Sequence, residues 1–275
     1  MTRIALFQSC TGIEPAANAE ALVSAIEQAD AGGAEMLFTP EMSGLLDRDA
    51  KRAAASLRSE GEDGVLAACR DAARRHGLWT HLGSLAVRNG EGKLANRGFL
   101  IDPAGTVRAR YDKIHLFDVD LPTGESWRES AVYSPGEGAV VVDNTPVGRL
   151  GLTICYDLRF PDLFSRLAEA GAQTIAVPAA FTVPTGRAHW EVLLRARAIE
   201  AGTFVVAAAQ SGRHADGRET YGHSLVVSPW GEVLLDMGQA TGVGFADIDL
   251  SLVAEVRQRI PALAHRRPIA AAVVQ

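Results

Sequence analysis

The chain is poor in cysteine. It has three, Cys10, Cys69 and Cys155, in 275 residues. Their number is odd and they form no C-x-x-C pair, which excludes a disulfide framework and a cysteine-rich zinc module. Excess positive charge is also lacking. With 27 Lys+Arg against 33 Asp+Glu the formal net charge is −6, which excludes a generally basic nucleic-acid binder and leaves a local basic patch open. Long apolar runs are missing as well. The longest stretch free of charged residues, 170–186, is broken by Gly171, Pro178, Pro184 and Gly186, whereas a spanning helix needs about 20 mostly apolar residues. The N-terminus carries one positive charge and then the short apolar stretch Ile4–Phe7. A signal peptide needs an apolar run of at least about 7 residues, so residues 3–8 are expected to form a strand and the protein to be cytoplasmic. Three catalytic signatures are absent: the phosphate-binding G-x-x-x-x-G-K-S/T, H-E-x-x-H and G-x-S-x-G. Gly124-Glu-Ser126 and Gly222-His-Ser224 each lack the second glycine of the serine-hydrolase elbow.

What is present is a globular composition. Hydrophobic residues make up 47% and charged residues 22%, enough for a sizeable core. The length allows one large domain or two small ones. Strands and helices interleave. A strand over 3–8 is followed by a helix over 16–31, with Leu22, Ile26 and Ala29 on one face and Gly32-Gly33 at its end. A short strand over 34–38 stops at Pro40. A helix over 62–76 carries Val65, Leu66, Cys69 and Ala72 in register and ends at Gly77, and a strand covers 78–87. A hairpin turns on Asp102-Pro-Ala-Gly105 between strands at 97–102 and 106–111. Residues 112–138 read as a long irregular loop, a length often associated with function.

The second half repeats the order. Strands are expected over 139–142, 149–154, 174–177 and 204–208, with helices over 161–171 and 188–201. Pro161 suits the first turn of its helix because its missing N–H costs nothing there. A second hairpin turns on Ser228-Pro-Trp-Gly231, and a strand over 245–248 and a helix over 252–259 close the pattern. Arg3-Ile-Ala-Leu resembles Arg149-Leu-Gly-Leu, and both hairpins use a Pro-x-Gly turn. Two similar sheet-and-helix units, packed sheet to sheet as a single domain over 1–275, are therefore expected, with sites at strand ends.

Three polar residues stand at such places. Glu41 directly follows an apolar strand, in Leu37-Phe-Thr-Pro-Glu41. Lys113 follows the first hairpin, in Tyr111-Asp-Lys113-Ile-His115. Cys155 ends the strand Gly151-Leu-Thr-Ile-Cys155. Taken singly, each has a plainer reading: a buried thiol packs as a small hydrophobe, a Glu after Pro caps a turn, and a lysine is solvated. Taken together they are a nucleophile, a base and a cation. A free thiol is a few per cent ionised at pH 7, a carboxylate can take its proton, and a lysine can stabilise a thiolate and an oxyanion. Cys10 and Cys69 are expected to be structural.

These residues, in the contexts D-K-I-H-L-F and C-Y-D-L-R-F-P-D, resemble the Glu-Lys-Cys signature of the nitrilase superfamily of carbon–nitrogen hydrolases, over residues 3–268. The stretches His115–Asp120, Thr185–Glu200, Ala207–Gln210, Tyr221–Ser224 and Pro229–Gly231 resemble most the branch of the deaminated glutathione amidases. The resemblance implies an α/β fold, the four-layer αββα sandwich, paired into homodimers or larger assemblies. It implies an amidase acting on a small 2-oxo acid amide through a thioester, needing no metal or organic cofactor and no nucleic-acid or membrane partner. An ω-amidase acting on 2-oxoglutaramate or 2-oxosuccinamate, or a carbamoyl hydrolase, is the alternative; a non-catalytic interaction module is a third reading. Glu41 would be the base, Cys155 the nucleophile, and Lys113 with the Tyr156 N–H the oxyanion donors. Glu129 matches a second family glutamate that orients the lysine. Phe181, Thr182, His189 and Arg187 are candidates for substrate binding. Arg159 either meets a substrate carboxylate or ties down the loop after the nucleophile. Arg195, Arg197 and Glu200 are expected to form a structural charge network.

Overall fold

The computed structural model describes residues 1–90, 92–120, 124 and 126–274. In the first half the chain runs β1 (Thr2–Gln8), α1 (Pro15–Ala31), β2 (Met36–Phe38), α2 (Ala50–Ala54), α3 (Gly64–His76), β3 (Trp79–Arg88), β4 (Leu94–Ile101) and β5 (Val107–Asp112). A small ribbon, β6 (Asp118–Asp120) and β7 (Ser126–Arg128), leads to the second half. There follow β8 (Val140–Thr145), β9 (Gly148–Leu152), α4 (Pro161–Glu169), β10 (Thr174–Ala176), α5 (Val183–Ala201) and β11 (Phe204–Ala207). The chain ends with β12 (Ser211–Arg213), β13 (Glu219–Tyr221), β14 (Leu225–Val227), β15 (Val233–Asp236), β16 (Gly242–Ile248) and α6 (Ser251–Arg259).

Local chemistry sets the helix limits. Pro15 and Pro161 open α1 and α4. The Asp63 carboxylate accepts from Leu66 N at 2.8 Å and caps α3, which Gly77 ends in the left-handed conformation at φ 62°. Gly202 does the same for α5 at φ 55°.

Two six-stranded sheets form, in the orders β16-β1-β2-β3-β4-β5 and β15-β14-β11-β10-β9-β8. They share one plan. An antiparallel edge strand, β16 or β8, flanks three parallel strands, and an antiparallel pair completes the sheet. Alternation along the strands sorts the side chains. Ile4, Leu6, Met36 and Phe38 point to an apolar cluster shared with Leu150, Leu152 and Ile154 of the other sheet. Ala5 and Leu37 point instead to Leu22, Ile26, Cys69 and Ala72 of α1 and α3. On the far side Phe164, Leu167, Trp190 and Leu194 bring α4 and α5 onto the second sheet. The layers are helix, sheet, sheet, helix, the expected αββα sandwich.

Several sequence expectations shift. Residues 112–138 are not irregular throughout: the ribbon β6–β7 occupies part of them, while residues 121–123 and 125 lie outside the described residues. The helix expected over 188–201 begins at Val183, because Pro184 sits in the first turn that tolerates it. The strand expected to run to Ile154 stops at Leu152, and Cys155 opens a 3-10 turn, Cys155–Arg159. Cys69 is buried as expected, but Cys10 is exposed rather than packed, its thiol donating to Arg213 O at 3.4 Å. Among the described residues no helix is long and apolar enough to cross a membrane.

Candidate active site

The site lies between the sheets, at the ends of parallel strands. Glu41 follows β2. Its carbonyl accepts from Gln210 Nε2 at 2.9 Å, and that side chain is held in turn by Ser9 Oγ at 3.0 Å and Thr11 N at 3.1 Å on Oε1. The next residue, Met42, has φ 55°, so the chain turns sharply after the glutamate. Gly83 of β3 packs against this turn. A Cβ there would lie 2.1 Å from Thr39 O, 2.5 Å from Pro40 O and 2.6 Å from Pro178 Cβ, so only glycine allows the approach.

Cys155 itself has φ 50°, a left-handed conformation that costs a non-glycine residue roughly 1–2 kcal/mol. Its N–H donates to Pro178 O at 2.8 Å. The turn it opens is held by Asp157, whose Oδ2 accepts from Ile154 N at 2.9 Å and Tyr111 Oη at 2.7 Å. Asp157 Oδ1 accepts from His115 N at 3.1 Å and lies 2.7 Å from His115 Nδ1. The residues two before and two after Lys113 are thus fastened to the residue two after Cys155.

Lys113 is 2% exposed. Its Nζ donates to Glu41 Oε1 at 3.0 Å and to Glu129 at 2.8 Å (Oε2) and 3.1 Å (Oε1). Glu129 Oε2 also accepts from Phe117 N at 2.7 Å. Glu41 Oε2 accepts from Ala180 N at 3.0 Å. Asn96 of β4 donates through Nδ2 to Glu41 Oε1 at 2.9 Å and Glu129 Oε1 at 3.2 Å.

Electrostatics follow from this packing. Burial alone would push the lysine down, yet Glu129, Glu41 and Cys155 more than offset it and hold Lys113 well above the usual ammonium range. Burial, then the Glu41 charge, push the Cys155 thiol well up, against the pull of Lys113. The thiol is therefore protonated at rest and ionises only as its proton leaves. An arrangement of this kind can abstract a thiol proton and neutralise an oxyanion in one dry site.

The structure brings Glu41, Lys113, Glu129 and Cys155 together. Tyr156 follows in the turn and meets Phe117 edge-on, ring centroids 5.0 Å apart. Phe181 packs on Trp190 at 4.7 Å. Thr182 is engaged at the start of α5, its hydroxyl 2.8 Å from Thr185 Oγ1. Arg187 and His189 are exposed. Arg159 donates to His189 Nδ1 at 3.3 Å and lies over the Tyr156 and Phe181 rings. The loop after the nucleophile is tied by Asp157 and by Arg197 Nε to Leu158 O at 3.0 Å, a tie the sequence reading had offered to Arg159. The expected charge network on α5 is present, with Arg197–Glu200 at 2.9 Å and Arg195–Glu191 at 3.3 Å. Asn96, Asp157, Ala180 and Gln210 escape a sequence reading. The one available signal is an asparagine inside a strand, where that residue is depleted.

The family model for carbon-nitrogen hydrolases matches residues 3–258. The deaminated glutathione amidase of Yersinia enterocolitica is 42% identical over 277 residues, covering 98% of this chain and 94% of that protein. The deaminated glutathione amidase of Rattus norvegicus is 43% identical over 248 residues, 88% of this chain and 75% of that protein. The crystal structure of the C. elegans NitFhit protein superposes with a TM-score of 0.89 at 39% identity; it covers 97% of this chain, which spans 65% of that longer one.

Proposed function

The chain belongs to the carbon–nitrogen hydrolase family, and from that premise we propose a cysteine-dependent amidase that cleaves the amide of a 2-oxo-dicarboxylic acid, deaminated glutathione being the substrate. The observation that carries this reading is the buried set of Lys113 bonded to both Glu41 and Glu129 beside the Cys155 thiol.

Glu41 takes the thiol proton as Cys155 attacks the amide carbonyl. The S–C bond forms as the C=O π electrons move to oxygen, and Lys113 with the Tyr156 N–H receives the oxyanion. The Tyr156 N–H suits this because it stands in the first turn of a 3-10 segment, where backbone donors lack an acceptor within the helix. Glu41 returns the proton to the departing amine, a thioester remains, and Glu41 then activates water to release the acid. General-base catalysis is worth about 10²–10⁴-fold and an oxyanion donor about 10²–10³-fold. Neither step calls for a cofactor.

The acidic substrate is supported by Arg159 and Arg187, which pair with no carboxylate among the described residues. In deaminated glutathione the acyl part ends in a 2-oxo carboxylate. The Arg159 guanidinium, laid on Tyr156 and Phe181 four residues beyond the nucleophile, is suited to meet it. Pairing of two copies belongs to the same reading. Val192, Ile199 and Trp230 are exposed, and the Gly231 turn sits on Ile199, which supports a continuous apolar face.

Two measurements test the proposal. Mass spectrometry of the quenched reaction is expected to find the acyl group on Cys155 and not on Cys10 or Cys69. Steady-state rates are expected to favour deaminated glutathione over 2-oxoglutaramate. Comparable rates, or a preference for the second amide, would replace the substrate with that of an ω-amidase.

A further inference from the structure

Asn96 touches every charged member of the site. Its carbonyl accepts from Lys113 N at 3.0 Å. Its Nδ2 sends one hydrogen to Glu41 Oε1 at 2.9 Å and the other to Glu129 Oε1 at 3.2 Å. The residue is 1% exposed, and its buried Oδ1 has no partner among the described residues. The orientation is fixed by chemistry: turned over, the amide would set its oxygen against two carboxylates. A side chain kept for packing would not bury an unmet acceptor in a sheet interior.

The two oxygens of Glu41 are consequently unequal. Oε1 is occupied by both Asn96 Nδ2 and Lys113 Nζ. Oε2 accepts from Ala180 N at 3.0 Å, and the Cys155 thiol is hydrogen-bonded to the same carboxylate. The same Ala180 N–H also stabilises the Cys155 sulfur, so Oε2 and the thiol share a donor. We propose that Asn96 is a positioning residue that locks Oε1 of Glu41, leaves Oε2 as the oxygen that exchanges protons with the Cys155 thiol and with the attacking water, and holds the base and Glu129 at a fixed spacing around Lys113. The inference rests on the amidase reading for its turnover readout, but not for its alkylation readout.

Asn96→Ala removes the donor, and Asn96→Leu removes it while filling the volume. Both are assayed per alkylatable Cys155, so misfolded protein does not count. The expected result for both is a kcat about 10²-fold lower with KM changed less than about threefold, since the loss falls on proton transfer rather than on binding. Iodoacetamide alkylation of Cys155, which needs no amide substrate, is expected to slow about tenfold in both variants, because the thiol faces a base that is no longer held in place. Restoration of kcat and of the alkylation rate by Asn96→Leu would reduce the residue to packing and overturn the proposal. Unchanged alkylation rates in both variants would overturn it even if no tested amide is hydrolysed.

Discussion

Tyr111 and Asp157 join the two halves of the site: the phenol donates to the Asp157 carboxylate at 2.7 Å, with Asp157 wholly buried. Together with the His115 bonds to the same carboxylate, this fixes the distance from the lysine to the nucleophile. Burial and the neighbouring Asp157 charge push the Tyr111 hydroxyl upward, so it stays a donor across the working range. Asp157→Ala orphans four donor groups. The expected loss is about 3 kcal/mol or more, read from urea unfolding, with kcat falling further than the folded fraction.

Gly83→Ala places a methyl against Thr39 O, Pro40 O and Pro178. Those contacts are backbone and proline, which cannot swing away. The expected cost is about 1–3 kcal/mol in stability. Because the displaced segment leads directly into Glu41, kcat should fall while intrinsic fluorescence and secondary structure by circular dichroism stay native.

How much of this was legible in the sequence depends on whether the signal is local. Gly77, Gly202 and Pro161 mark helix ends by their own backbone preferences, so those limits come out within a residue or two. The helix and strand faces follow from periodicity. Glu41, Lys113 and Cys155 stood out through their contexts; the family resemblance joined them and added Glu129. The ribbon β6–β7 and the pair β12–β13 carry too few residues for a period to appear. Asn96, Gly83 and Gln210 matter through partners up to 201 positions away, and nothing beside them in the chain announces that.

Glu129→Gln keeps an acceptor for Phe117 N and removes the charge beside Lys113. The lysine then leans on Glu41 alone. We expect kcat to drop about 10²–10³-fold, with Cys155 still alkylated. The sign of the pH effect follows. A lost anionic neighbour lowers the Lys113 pKa, so the alkaline limb of kcat/KM moves to lower pH.

His81, in β3 beneath Phe38, is buried with Nδ1 unpartnered among the described residues, and burial lowers its pKa to about 3. Unfolded, a histidine titrates near 6.5. Between those values the unfolded chain binds a proton that the folded one refuses. The stability contribution is thus complete above pH 6.5 and is lost as pH falls toward 3, at about 1.4 kcal/mol per pH unit. Urea midpoints between pH 7 and 5 should show this slope, and His81→Phe should flatten it; an unchanged slope would refute the assignment.

The shared plan of the two sheets makes residues comparable across them. Ser9 stands six residues after Arg3, as Cys155 stands six after Arg149, in the matched segments Arg3-Ile-Ala-Leu and Arg149-Leu-Gly-Leu. Ser9 Oγ donates to Gln210, and Gln210 donates to the carbonyl of Glu41. One strand end therefore carries the attacking atom, and its counterpart is scaffolding for the base that serves it. Two sheets of one plan thus carry a single reactive centre, with the matching positions dividing the labour. A variant that gave Ser9 a thiol would not create a second centre; it would loosen the first.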